Sequence, residues 1–147
     1  MIILGLDPDK GWALAHDHKI ISAGTVKGMT EMKKIIADAG SYFRDGMVDF
    51  LVRIERPTNL KTFPRPGLSV AAMMKIAQNC GQNYRKATEL GEYCASLGLR
   101  YEFIAPSRKK YGKMTGKQFN RLTGYPGRTS AHSRDAIMIT LRMEVGE

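Results

Sequence analysis

The stretch IILGLD, residues 2–7, is a short apolar run that ends on an aspartate. An uninterrupted run of this length predicts a buried β-strand. Gly11 then allows a tight reversal into a second strand at residues 12–15, and residues 20–26 follow as a third after a polar turn. The chain is therefore expected to open with three antiparallel strands, the first of which carries Asp7 at its carboxyl end.

From about Thr30 the apolar residues change to helical spacing, which predicts a first helix ending at Asp45-Gly46. A strand at 48–55 and a proline-rich loop at 56–67 are expected next. A long helix, capped by Ser69 and ended by Gly98, then leads to a strand at 101–105. The rest is a basic loop-rich region at 106–127 with a short helix at 117–122, and a last helix from Ser130 to about Met143. This order predicts a single α/β domain over residues 1–147. Its five-stranded mixed sheet has strands 1–3 antiparallel and strands 1, 4 and 5 parallel, flanked by helices.

Composition and charge limit the functions that this protein can have. The 147 residues carry a net charge of +9, and the surplus lies in residues 53–147, where 17 lysines and arginines face 7 acidic residues. Such a surface attracts polyanions, of which nucleic-acid backbones are the commonest in a cytosol. No apolar run is long enough for a membrane span, the first residues do not resemble a secretory leader, and two cysteines suit a reducing compartment. We therefore expect a cytoplasmic protein with no membrane partner.

Two predicted strands end on an acidic residue, Asp7 and Glu55. A strand–helix–strand crossover makes the first and fourth strands parallel neighbours, so their carboxyl ends meet at one edge of the sheet. His132 and Asp135 are three residues apart and share a face of the last predicted helix. Oxygen ligands with one imidazole suit Mg²⁺ or Mn²⁺, and a pair of such ions can assist phosphodiester hydrolysis. These four residues are the catalytic and metal-ligand candidates.

Each of the four also has an ordinary interpretation. Asp7 can begin a turn, and Glu55 can form a surface ion pair with Arg53 or Arg56. The histidine and aspartate of the last helix can serve its capping and its dipole. Asp9 is a weaker fifth candidate, which we interpret as a solvated turn residue. Taken together, the acidic strand ends favour the metal site.

On these residues the chain resembles the RuvC-type Holliday junction resolvases, which belong to the RNase H-like superfamily and include phage-type members. Residues 5–11, GLDPDKG, resemble the first-strand motif of that family, and Ile54-Glu55 resembles its fourth-strand glutamate. Residues 132–136, HSRDA, are similar to its terminal-helix motif. The resemblance implies an RNase H-like fold and a homodimer that cuts four-way DNA junctions by paired nicks during recombination and repair. It also implies two Mg²⁺ or Mn²⁺ ions held by Asp7, Glu55, His132 and Asp135.

Residues outside the acidic set are candidates for DNA contacts. In the resolvase family an aromatic side chain soon after the fourth strand stacks on a junction base. Here the only aromatic residue of that loop is Phe63, displaced further from Glu55, and it can act either as a wedge between bases or as packing for its own loop. The candidates for phosphate contacts are Arg56, Lys61, Arg65, Lys109, Lys110, Lys113, Lys117 and Arg121.

Two other functions fit the same residues. A ribonuclease of the RNase H or RNA-processing type would use the same carboxylates, which by themselves do not select the substrate. A basic scaffold that binds branched nucleic acid without cutting it is the second alternative. The acidic set argues against the scaffold, because carboxylates near phosphates weaken binding unless cations lie between them.

Overall fold

The computed structural model describes residues 1–43, 48–57, 67, 69–106 and 115–141. Its strands are β1 (Ile2–Asp7), β2 (Gly11–His16), β3 (Lys19–Thr25), β4 (Phe50–Glu55) and β5 (Tyr101–Ile104). Its helices are α1 (Met29–Phe43), α2 (Val70–Ser96), α3 (Gly116–Thr123) and α4 (Ala131–Leu141). The predicted order of elements is confirmed. The expected ends of the first and last helices, at Asp45-Gly46 and Met143, lie outside the described residues.

The sheet has the order β3-β2-β1-β4-β5. β2 is antiparallel to both β1 and β3, and β4 is parallel to both β1 and β5. This confirms the predicted mixed sheet, including its parallel strands 1, 4 and 5. The central position of β1 follows from its composition, since an all-apolar strand is stable only where both of its faces are covered.

The two faces of the sheet carry separate cores. On one face, buried residues of β1 and β4, such as Leu6 and Ile54, pack with residues of α1 and α2. On the other face, Ala13 of β2 packs with Phe119 of α3 and with Ile137 of α4. The last two helices therefore lie on the opposite side of the sheet from α1 and α2.

Side-chain caps mark the starts of the later helices. The Oγ atom of Ser69 accepts a hydrogen bond from the backbone N–H of Ala72 at 3.1 Å, which confirms the predicted cap of α2. The hydroxyl of Thr115 and the side chain of Gln118 form a capping box at the start of α3. These bonds satisfy N–H groups that a helix start otherwise leaves without partners.

Helix α4 lies unusually close to β1 because Gly5 carries no side chain. A Cβ atom at Gly5 would lie 2.8 Å from the backbone nitrogen of Thr140, and closer still to its hydroxyl. The Thr140 hydroxyl donates to the carbonyl of Ala136 at 2.7 Å, within the same helix. A glycine inside a strand often marks such a close backbone approach.

We expect Gly5→Ala to destabilise the protein by about 1–3 kcal/mol, because the added methyl group forces α4 away from the sheet. Urea unfolding measures this directly. The matched control is Gly81→Ala on α2, where a Cβ would meet no described atom within 4 Å. That substitution should stabilise the helix by up to about 1 kcal/mol, since alanine favours helix more than glycine does. Equal effects of the two substitutions would contradict the close approach.

Candidate metal centre

The carboxyl ends of β1 and β4 place two acidic residues side by side. The last pair in the β1–β4 register is Leu6 with Ile54, and both side chains are fully buried towards α1 and α2. Successive residues of a strand point to opposite faces. Asp7 and Glu55, the next residues on each strand, therefore face the side of the sheet that α4 covers.

The start of α4 reaches the end of β1 because Gly11 lies between them. Gly11 pairs with Asp7 across the β1–β2 ladder, and a Cβ at this glycine would lie 2.7 Å from the carbonyl carbon of His132. The helix start is fixed by Ser130, whose Oγ accepts from the backbone N–H of Ser133 at 3.2 Å, as predicted for this cap. This contact brings the first turn of α4 onto the strand end that carries Asp7.

Asp7, His132 and Asp135 converge at this point. One potential ligand atom from each of them lies within 4.8 Å of the other two. His132 is exposed, whereas the two aspartates are half-buried, so the group is open to solvent on the histidine side. Two carboxylates and one imidazole are a ligand set that Mg²⁺ and, more readily, Mn²⁺ accept. The donor chemistry therefore fits a divalent ion.

The electrostatics of Asp7 fit a cation site as well. The pKa of the Asp7 carboxyl is raised from its ordinary value of 3.8 to about 6, chiefly by burial and to a smaller extent by the neighbouring Asp135. Lys10 and, to a smaller extent, His132 lower this pKa, but they do not cancel the effect of burial. At neutral pH Asp7 is thus ionised at a cost in free energy, which a bound cation would relieve.

Glu55 lies at the end of the neighbouring strand, but among the described residues its carboxylate is not part of the three-residue group. Of the four residues that the sequence singles out, three converge. The role of Glu55 as a ligand stays a prediction. Arg53, one of the two partners considered for Glu55, forms an ion pair with Glu102, with its Nε 2.7 Å from Oε1.

Arg53 also holds the far end of α4. Its Nη1 donates to the backbone carbonyl of Thr140 at 2.7 Å, while its Nε bonds Glu102 on β5. The guanidinium of Arg53 thus ties α4 to β4 and β5 at a point nine residues along the helix from Ala131. Together with the contact at Gly11, this bond fixes α4 at both ends.

The interpretation of Asp9 as a solvated turn residue is wrong. Its side chain is only 21% exposed, and its Oδ2 lies 2.6 Å from the Nζ of Lys86 on α2. The sequence carries no sign of this contact, because 77 positions separate the two residues. Asp9 is thus a paired carboxylate beside the three-residue group and not a member of it.

Among the predicted DNA contacts, Arg56, Lys117 and Arg121 lie within the described residues. Arg56 is half-buried, with its guanidinium carbon 3.8 Å from the ring centre of Phe103 and 4.8 Å from that of Tyr84. Lys117 is exposed on α3. The predictions that fall outside the described residues are Lys61, Phe63, Arg65, Lys109, Lys110 and Lys113.

Three residues that position α4 against the sheet, Gly5, Gly11 and Arg53, were not predicted to do so. Gly5 and Gly11 were available as signals, since a glycine within a strand often marks a close backbone approach. Arg53 was considered only as an ion-pair partner, although a charged residue inside a central strand is uncommon and needs a partner. The ion pair of Lys86 with Asp9 had no local signal.

The described residues include no helix that is long and apolar enough to cross a membrane.

The fold is similar to that of a solved RuvC structure. No protein-family model matches this sequence, and no curated protein matches it. A structure of T. thermophilus RuvC in complex with a Holliday junction substrate is similar over 96% of this chain and 90% of that chain, with a TM-score of 0.54 and 14% identity. A second Thermus thermophilus RuvC structure covers 96% and 92%, with a TM-score of 0.48 and 13% identity. The first likeness confirms the expected RuvC-like fold.

Proposed function

We propose that this protein is a divalent-metal-dependent endonuclease that cuts branched DNA and resolves four-way junctions by paired nicks. The observation that carries the proposal is the convergence of Asp7, His132 and Asp135 at the carboxyl edge of the sheet. The RuvC-like fold supports it, since the similar structure is of RuvC in complex with a Holliday junction substrate. Two copies of the chain would each make one nick.

The site residues have distinct roles in this proposal. Asp7, Asp135 and His132 would hold Mg²⁺ or Mn²⁺, with Glu55 as a further ligand from the neighbouring strand, and the resemblance to the resolvase family implies two ions. Bound divalent ions polarise the phosphoryl oxygens and lower the pKa of water. The Asp7 carboxyl, with a pKa of about 6, is ionised at neutral pH and so available as a ligand. The ring of His132 is exposed, and a ring nitrogen that does not bind an ion can accept a proton from the attacking water.

Positive charge on the same face of the sheet supports a nucleic-acid substrate. Helix α3 packs through Phe119 against Ala136 and Ile137 of α4, so it lies on the face that carries the candidate metal centre. Its exposed side includes Lys117 and Arg121. These cations can hold a DNA backbone beside the carboxylates without reading its sequence.

We expect Lys117→Gln to weaken junction binding and to reduce the slope of log K against log salt by about 1, because one phosphate contact is lost. Fluorescence anisotropy at several salt concentrations measures both quantities. Lys34→Gln is the matched control, since Lys34 is an exposed lysine of α1 on the opposite side of the sheet. Equal losses in the two variants would show that α3 does not contact the DNA.

The proposed function is tested with a synthetic four-way junction, a linear duplex of the same sequence and an RNA–DNA hybrid, each with Mg²⁺, Mn²⁺ or EDTA. We expect symmetric paired nicks in the junction with either metal, none with EDTA and little cleavage of the duplex. Preferential cleavage of the hybrid would instead indicate a ribonuclease. Tight junction binding without cleavage under both metals would indicate a non-catalytic scaffold. Either result would overturn the proposal.

A further inference from the structure

The turn between β1 and β2 is attached to the opposite face of the sheet by two side chains. The backbone N–H of Asp9 donates to the Sδ of Met32 on α1 at 3.3 Å. The Oδ2 of Asp9 accepts from the Nζ of Lys86 on α2 at 2.6 Å. Asp9 therefore connects the turn to both helices that cover the face away from the candidate metal centre.

Met32 and Lys86, the two partners of Asp9, are both held in place by the core. Met32 is fully buried in the core that also contains Leu6. Lys86 directly precedes Ala87 on α2, and Ala87 is fully buried in the same core. The backbone of Lys86 is therefore held in place by the core, and the ion pair of its ammonium group can hold the turn in a fixed position relative to that core.

The backbone of the turn needs such support. Asp9 has a φ of 58°, in the left-handed region that residues other than glycine, asparagine and aspartate rarely adopt. Its Oδ1 is buried and has no hydrogen-bond partner among the described residues, so Lys86 provides the charge compensation for this carboxylate. Without that cation, a half-buried carboxylate would favour another turn conformation.

The same turn carries the groups that build the metal centre. Asp7 begins it, with its carbonyl accepting from the N–H of Lys10 at 3.0 Å, and Gly11, against which the backbone of His132 rests, ends it. A shift of Asp9 would move both ends of the turn and change the separation of Asp7 from α4.

We propose that Lys86 is a positioning residue for the divalent-metal site, acting through its ion pair with Asp9 on the turn that carries Asp7 and Gly11. The proposal deepens the proposed function, because it concerns the same site. It concerns affinity for the ion, which can be measured without any cleavage.

The test is a measurement of Mn²⁺ binding, in which the electron paramagnetic resonance signal reports the concentration of the free ion. The main variant is Lys86→Met with Asp9→Asn, which removes both charges, leaves the net charge unchanged and places a residue that tolerates positive φ at position 9. The matched control is Lys33→Met with Glu89→Gln, which removes the ion pair formed at 2.9 Å between α1 and α2. We expect Mn²⁺ affinity to fall about tenfold in the main variant and to stay unchanged in the control, as for other residues that support metal ligands.

Further variants separate positioning from general stability. Lys86→Arg keeps the ion pair and should restore wild-type affinity. If the double variant does not fold, as judged by circular dichroism, Asp9→Asn replaces it and Glu89→Gln, with the same charge change, becomes its control. Wild-type Mn²⁺ affinity in the folded Asp9 and Lys86 variants would overturn the proposal. A wild-type protein that binds Mn²⁺ but cleaves no junction would overturn the proposed function and leave the role of Lys86 intact.

Discussion

Asp7→Asn should reduce cleavage of a four-way junction by about 10²–10³-fold or more, since removing one group that stabilises transition-state charge has this effect in other enzymes. The substitution keeps the shape of the side chain and removes the charge of a half-buried ligand candidate. Junction binding should persist, because basic residues hold the phosphates and Asp7 does not. Single-turnover cleavage with Mg²⁺ and an equilibrium binding assay in EDTA measure the two properties separately.

The control for this variant is Asp38→Asn, which changes the net charge equally at an exposed position of α1. It should cleave and bind as the wild type does. Loss of junction binding in Asp7→Asn alone would show that the carboxylate site and the DNA surface are not separate. Undiminished cleavage would show that Asp7 is not a ligand that the reaction needs.

The same Asp7→Asn substitution should stabilise the metal-free protein at neutral pH. The pKa of Asp7 is raised from 3.8 to about 6 in the folded chain, so the fold favours the protonated carboxyl. The stability from this group is fully present below pH 4 and is lost as pH rises through about 6. A shift of this size corresponds to about 3 kcal/mol. An uncharged Asn side chain does not ionise, so the variant does not lose this stability as the pH rises.

Urea unfolding in EDTA at several pH values tests this prediction. The gain in free energy of unfolding of Asp7→Asn over the wild type should be smallest near pH 4 and largest at pH 7. Asp38→Asn should show no such trend. Added Mn²⁺ should stabilise the wild type and have little effect on Asp7→Asn, because the ion binds the folded state through this carboxylate. A difference that does not change with pH would mean that the charge of Asp7 is not destabilising in the fold.

The sequence predicted the sheet well because local patterns determine it. The apolar run that ends at Asp7 and the alternation that ends at Glu55 each identify a strand, and the crossover rule then makes them parallel neighbours. Ser69 and Ser130 were recognisable as caps because a helix start requires a local acceptor. Chain order and spacing were therefore sufficient for the architecture.

The site could be predicted only in part. Asp7, His132 and Asp135 were identified from strand ends and helix spacing, and the structure brings them together. The environment of Asp9 was misjudged because its partner Lys86 lies on another helix, 77 positions away. The position of the Glu55 carboxylate depends on its rotamer, which the strand pattern does not determine.

The most direct measurement is anomalous diffraction from crystals of the wild-type protein grown with Mn²⁺. We expect an anomalous peak among the side chains of Asp7, His132 and Asp135, lost in crystals of Asp7→Asn. The same map would show whether the Glu55 carboxylate contacts the ion. A folded wild-type protein with no peak at these side chains under saturating Mn²⁺ would contradict the assignment of this group as a metal centre, and with it the proposed nuclease.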